Sequence, residues 1–187
     1  MFQQGGYFCF VLQYAENGDL LDYINQRKSI SESSIKKIIF DVLVAIEDLH
    51  SKKYCHQDIK LENIFLLNQG TKAVLGDFGS TEILNEGEKS SSILGSLFYL
   101  SPEILITKKH DKSADIWALG VTLFTLLIGE FPFVGRNVNQ LIEDINGRKN
   151  QNQKDSLFFP ELDKVSKEAK DLIISMLQID PEKRITP

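Results

Sequence analysis

The sequence predicts a mainly α-helical fold with a few short β-strands, and three observations carry that expectation. First, Ile35, Ile38, Ile39, Val42, Leu43, Ile46 and Leu49 recur at helical spacing behind Ser31, a suitable N-cap. So wide an apolar stripe belongs to a helix that faces a core. Second, the apolar run from Ile116 to Ile128, interrupted by Gly120 and two threonines, is too short to cross a bilayer and suits a buried core helix. Third, the β-prone stretches are brief: residues 7–14, 63–67 and 72–75. A chain of 187 residues is long enough for one well-buried core and fits one domain, with no internal repeat or linker.

The elements follow in order. Tyr7 to Tyr14 is expected as a strand with Phe8, Phe10 and Leu12 on one face, broken by Asn17-Gly18. Asp19 can cap a short helix carrying Leu20, Leu21, Tyr23 and Ile24, and the long Ser31-capped helix comes next. Asn68-Gln69-Gly70 joins the strands 63–67 and 72–75. Residues 80–98 show no period and read as a long loop, a length that is usually functional or disordered. Helices are expected again over 112–128, 137–146 and 167–177, with a polar loop over 146–156.

Composition excludes several classes. The formal charge of −5 argues against nucleic acid and anionic membranes, which attract basic surfaces. The first residues lack a basic segment followed by an apolar one, so no signal peptide is predicted and a soluble, cytoplasmic protein is expected. Cys9 and Cys55 form neither a disulfide framework nor a C-x-x-C pair, and both are expected as buried free thiols.

The chemistry concentrates in His56-Gln57-Asp58-Ile59-Lys60-Leu61-Glu62-Asn63 and Asp77-Phe78-Gly79. Asp58, Lys60 and Asn63 leave a loop just before one strand, and Asp77 ends the next. A hairpin between them can bring Asn63 and Asp77 together, two oxygen donors of the kind Mg²⁺ takes alongside phosphate oxygens. Lys60 can place a positive charge near the same point, which suits a transferring phosphoryl group. Taken singly these residues are turn formers and solvated charges; His56 alone is best read as a packed, hydrogen-bonded residue. The joint pattern outweighs those readings.

That pattern resembles the catalytic loop and metal-binding motif of eukaryotic-type serine/threonine protein kinases, with the flavour of the calmodulin-dependent and AMP-activated groups. Further matches follow in family order. Residues 95–103 look like the end of an activation loop, 115–120 and 129–133 like the start and exit of the central helix, and 180–184 like the closing arginine motif. Residues 7–23 look like the last small-lobe strand, the hinge and the first large-lobe helix. The resemblance therefore implies a protein kinase-like fold reduced to the large C-terminal lobe. It makes 1–187 a partial kinase domain, with the last small-lobe strand and hinge in 1–17 and the helical lobe in 18–187.

The same resemblance implies roles. Asp58 would act as base toward the substrate hydroxyl, Lys60 would neutralise the γ-phosphate, and Ser96 would hydrogen-bond near both. Asn63 and Asp77 would hold Mg²⁺. ATP would meet backbone groups of Gln13 and Ala15, Phe65 as adenine floor, and Asp19 near the ribose. Glu103 and Arg184 would form a buried ion pair. The lysine at position 60 points to serine/threonine rather than tyrosine targets. Asp19 and Glu62 could attract an arginine upstream of the target hydroxyl; a purely local hydrogen-bonding role for both stays open.

Departures from the family matter as much. Gln57 stands where an arginine usually pairs with a phosphorylated activation loop, and a neutral amide cannot supply that bidentate charge. Phosphorylation of Ser90, Ser91 or Ser92 is therefore not expected to be the main on-switch. No G-x-G-x-x-G occurs, and the small-lobe lysine and its glutamate partner would lie upstream of Met1. The sequence thus reads as a fragment of a longer kinase, with negligible turnover and little ATP binding expected from these residues alone. A pseudokinase or partner-binding module is the alternative, and another phosphotransferase on the same scaffold a third. Substrate and oligomeric state are not legible.

Overall fold

The computed structural model describes residues 1–27, 30–149 and 157–187. Most of the expected loop over 146–156 therefore lies outside the described residues. The chain opens with a hairpin of β1 (Phe2–Gln4) and β2 (Tyr7–Cys9), paired antiparallel with Phe2 opposite Cys9 and Gln4 opposite Tyr7. The expected strand over 7–14 is thus shorter. It ends at Cys9, and Phe10 and Leu12 lie beyond it and exposed. Gly5 and Gly6 both take positive φ, 57° and 83°, and close the two-residue turn of the hairpin, whose ladder ends with Phe2 opposite Cys9. Cys9 on this hairpin is half-exposed, against the expectation of a buried thiol, because the hairpin has no layer packed over it; Cys55 is fully buried.

Asp19 caps α1 (Leu20–Asn25) by accepting the Asp22 N–H at 2.8 Å. Ser31 caps α2 (Glu32–Ser51) through Ser34, and Ile35, Ile38, Ile39, Val42 and Ile46 face the core as expected. β3 (Tyr54–Cys55) leads into residues 56–63, and β4 (Ile64–Leu67) then pairs with β5 (Lys72–Leu75), Ile64 opposite Leu75. β6 (Glu82–Ile83) returns to β3, with Cys55 opposite Glu82. Residues 80–98 form the long loop expected, and β6 and a bridge between Ser90 and His110 pin it.

α3 (Pro102–Thr107), α4 (Ser113–Ile128), α5 (Val138–Gly147) and α6 (Lys167–Met176) complete the fold. α4 is the axle, with every residue from Ala114 to Thr125 buried. Its two buried threonines lose nothing by this, since Thr122 and Thr125 donate to the carbonyls of Ala118 and Val121, each at 2.9 Å. α2 and α6 pack on α4, and the β4–β5 hairpin lies against α2. The expected fold class, mainly helical with a few short strands, is what the structure shows. Among the described residues no sheet exceeds two strands, and no helix is long and apolar enough to cross a membrane.

Candidate active site

The site sits where the β4–β5 hairpin opens. Pairing of Ile64 with Leu75 continues one step outward, as the Gly76 N–H donates to the Asn63 carbonyl at 2.9 Å. Asn63 and Asp77 are thereby held at the same end of the hairpin. Asp77 takes a left-handed conformation (φ 57°) and its Oδ1 accepts the Gly79 N–H at 3.3 Å. A non-glycine residue in that region is strained, a feature that concentrates at functional sites.

Asp58 is oriented by its own loop. Its Oδ2 accepts from Lys60 Nζ at 2.8 Å and from Asn63 Nδ2 at 2.9 Å, while its carbonyl accepts from the same amide at 2.7 Å. Asp58 Oδ1 and Asn63 Oδ1 accept no protein hydrogen bond among the described residues. Lys60 Nζ also reaches Ser96 Oγ at 3.5 Å, a weak contact that still places Ser96 beside the pair. Gly95 (φ 91°) passes so close that a Cβ there would lie 2.9 Å from the Gln57 carbonyl oxygen and 3.3 Å from Asp58 Oδ1. Glycine is required at that crossing.

His56 serves the frame, as a packed and hydrogen-bonded residue. Fully buried, it donates through Nε2 to the Gly76 carbonyl at 3.0 Å and accepts the Asp58 N–H through Nδ1 at 3.3 Å. Those partners assign the neutral tautomer with its proton on Nε2.

Sequence reasoning missed two acids. Asp115, near the start of α4, accepts the backbone N–H groups of His56 and Gln57, each at 2.9 Å, and His50 Nε2 at 2.8 Å. Glu82 accepts from the Gln57 side chain and from Ser90. Asp115 was marked only as the first residue of the 115–120 match, just before the apolar run, with no role of its own. For Glu82 no pattern marked it.

The nucleotide-side residues divide. The Gly18 carbonyl accepts the Leu66 N–H at 2.9 Å, and a bridge joins Asp19 to Phe65. Asp19 and half-buried Phe65 are therefore adjacent, with Asp19 Oδ1 already engaged as the α1 cap. The Phe65 ring lies over Gly76, where a Cβ would come within 2.7 Å of it. Gln13 is exposed and Ala15 half-buried in an irregular stretch, with the Ala15 carbonyl accepting the Gly18 N–H at 3.1 Å. Glu62 is exposed and near Tyr99, whose phenol is pushed up by burial first and then by that carboxylate. Glu103 and Arg184 form the expected ion pair, with two contacts of 2.6 Å and no exposure of the arginine side chain.

An acid held by a lysine and an amide on one loop thus leads into the end of the β4–β5 hairpin that also carries a strained Asp-Phe-Gly turn, in a mostly helical lobe. The protein kinase domain model matches residues 1–187, and the chain belongs to the eukaryotic-type serine/threonine protein kinase family. It is 37% identical to the calcium/calmodulin-dependent protein kinase cmkA of Emericella nidulans over 99% of this chain and 44% of that protein. It is 37% identical to the liver/testis isoform of the phosphorylase b kinase gamma catalytic chain of Homo sapiens over 99% of this chain and 46% of that one. Against the human serine/threonine-protein kinase Nek5 the identity is 34% over 98% of this chain and 25% of the relative. The chain thus spans less than half the length of each of these relatives.

Proposed function

We propose that this chain is the large lobe of a kinase that moves the γ-phosphoryl group of ATP to serine and threonine hydroxyls of proteins. Residues 1–17 would carry the last small-lobe strand and the hinge, and 18–187 the helical lobe. The observation that supports this best is Asp58: one carboxylate oxygen is tied down by Lys60 and Asn63, and the other is left open. The open Oδ1 is positioned to accept the proton of a substrate hydroxyl. Lys60, already beside Asp58, brings positive charge to the transferring group. The donor set suits Mg²⁺: the open Asn63 Oδ1 and the Asp77 carboxylate lie at one end of the hairpin, and this ion keeps few protein ligands. When bound, Mg-ATP would supply the phosphoryl group and neutralise its charge. Phe65 offers an apolar face for adenine, Asp19 a polar group near it, and the backbone of Gln13 and Ala15 the remaining contacts. Glu62, exposed beside the catalytic loop, would draw an arginine upstream of the target residue, with Asp19 assisting.

The test is phosphate transfer from Mg-ATP to a serine/threonine peptide library by the full-length protein. Asp58→Asn should lower kcat by about 10²–10⁴ while leaving thermal unfolding unchanged. Peptides with an upstream arginine should be preferred, and Glu62→Gln should flatten that preference. No transfer by the parent protein would reject the kinase reading in favour of a partner-binding module, and full activity in Asp58→Asn would reject Asp58 as the base.

A further inference from the structure

Glu82, on the strand that follows the Asp-Phe-Gly turn, has no part in the chemistry above. Yet its Oε2 is a meeting point. It accepts from Gln57 Nε2 at 2.9 Å, from Ser90 Oγ at 2.5 Å and, more weakly, from Ser92 Oγ at 3.5 Å. These donors come from two other segments, the catalytic loop and the activation loop. β6 sets Glu82 opposite Cys55, so its side chain stands beside the loop that begins two residues later.

Both sides of the junction are anchored. Gln57 sits at φ 69°, with its N–H fixed at 2.9 Å on Asp115 Oδ1, and its side chain has only Glu82 as a partner among the described residues. Ser90 is 3% exposed, its backbone exchanges hydrogen bonds of 2.8 and 3.1 Å with His110, and its hydroxyl accepts the Ser92 N–H at 3.0 Å. Three residues past Ser92 the chain turns at Gly95 against the Gln57 carbonyl and Asp58.

We propose that Glu82 is a positioning residue, a fixed carboxylate that locks the activation loop onto the catalytic loop with no phosphate involved. The polarity is the reverse of an arginine–phosphate pair: the anion belongs to the strand, and an amide and hydroxyls are the donors. An ionised acceptor makes such bonds short and strong. Ser90 first and Gln57 second hold this carboxyl below its usual range, so it is ionised at neutral pH. The consequence for turnover rests on the kinase reading; the lock itself does not.

The experiment measures amide hydrogen exchange at Ser90, Ser92 and His110 in the full-length protein, with α4 amides as an internal reference for folding. Glu82→Ala should speed exchange at the three sites by about tenfold or more with α4 unchanged. Gln57→Glu should do the same, because two carboxylates then face each other. Glu82→Gln combined with Gln57→Glu restores one donor and one acceptor, and should slow exchange again relative to Gln57→Glu alone. With peptide substrate, Glu82→Ala should lower kcat and leave KM for ATP within about twofold. Unchanged exchange in Glu82→Ala, or no rescue in the double variant, overturns the proposal. Restored protection in a parent protein that transfers no phosphate would keep the lock and reject the kinase reading.

Discussion

Asp115 is 1% exposed, on a helix that is apolar on every side, and it accepts three hydrogen bonds that fix where the catalytic loop begins. Burial pushes its carboxyl up. The His50 hydrogen bond and charge, with the backbone N–H groups of His56 and Gln57, outweigh burial and leave it below the ordinary 3.8. The sign of the linkage follows: a depressed carboxyl contributes fully above its unfolded value and loses that contribution as pH falls through the folded one. Asp115→Asn should therefore cost about 3 kcal/mol at pH 7, with the deficit shrinking as pH falls below about 4, where the unfolded carboxyl protonates first. Urea unfolding of both proteins at pH 7 and pH 3 checks this, and an equal deficit at both would refute it. Asp58, Lys60, Asn63 and Asp77 were legible as a set in the sequence because they form a spaced pattern. Asp115 and Glu82 were not, because each joins partners from other segments, 8 to 65 residues away, that only the folded chain brings near.

Among elements, α4 and α6 approach each other closely. A Cβ at Gly120 would lie 2.9 Å from both Met176 Cβ and Leu177 Cδ2. On propensity alone Gly120→Ala would stabilise α4 by about 1 kcal/mol. Met176 Cβ is bonded directly to the backbone and cannot swing aside, so overpacking of about 1–3 kcal/mol should win, and the melting temperature should fall. A rise would show that α6 shifts freely. The activation loop gives a second expectation. Phosphate on Ser92 would meet Glu82, 3.5 Å from its hydroxyl, and the Gln57 amide offers no charge to receive it. Phosphorylation at Ser90, Ser91 or Ser92 should thus leave turnover unchanged or lower it; a several-fold rise in kcat would count against this. The long helices were readable because their apolar period runs over several turns. β3 and β6 are two residues each, too short to show a period, and the turn between β1 and β2 was signalled only by Gly5-Gly6.

Across the whole molecule, the order of motifs along the chain foretold a mostly helical lobe, and one long-range contact that it implied ties that lobe together. Arg184, near the end of the chain, lies 81 residues from Glu103 and makes two parallel contacts of 2.6 Å with it. Its Nε also donates to the Gln178 carbonyl at 2.8 Å, and the guanidinium lies 5.1 Å from the Trp117 ring centre. The pair thus joins α3, which ends the activation loop, to α4 and to the turn after α6. Lysine cannot reproduce the fork, so even Arg184→Lys should destabilise. Arg184→Met leaves Glu103 without its partner and should cost about 3–5 kcal/mol. Glu103→Leu strands the wholly buried guanidinium and should cost as much. Removing both charges together leaves no stranded ion, so the double variant should recover much of either loss. A double-mutant cycle by urea unfolding measures this. If the two single losses simply add, the ion pair is not what couples the end of the activation loop to the helical core.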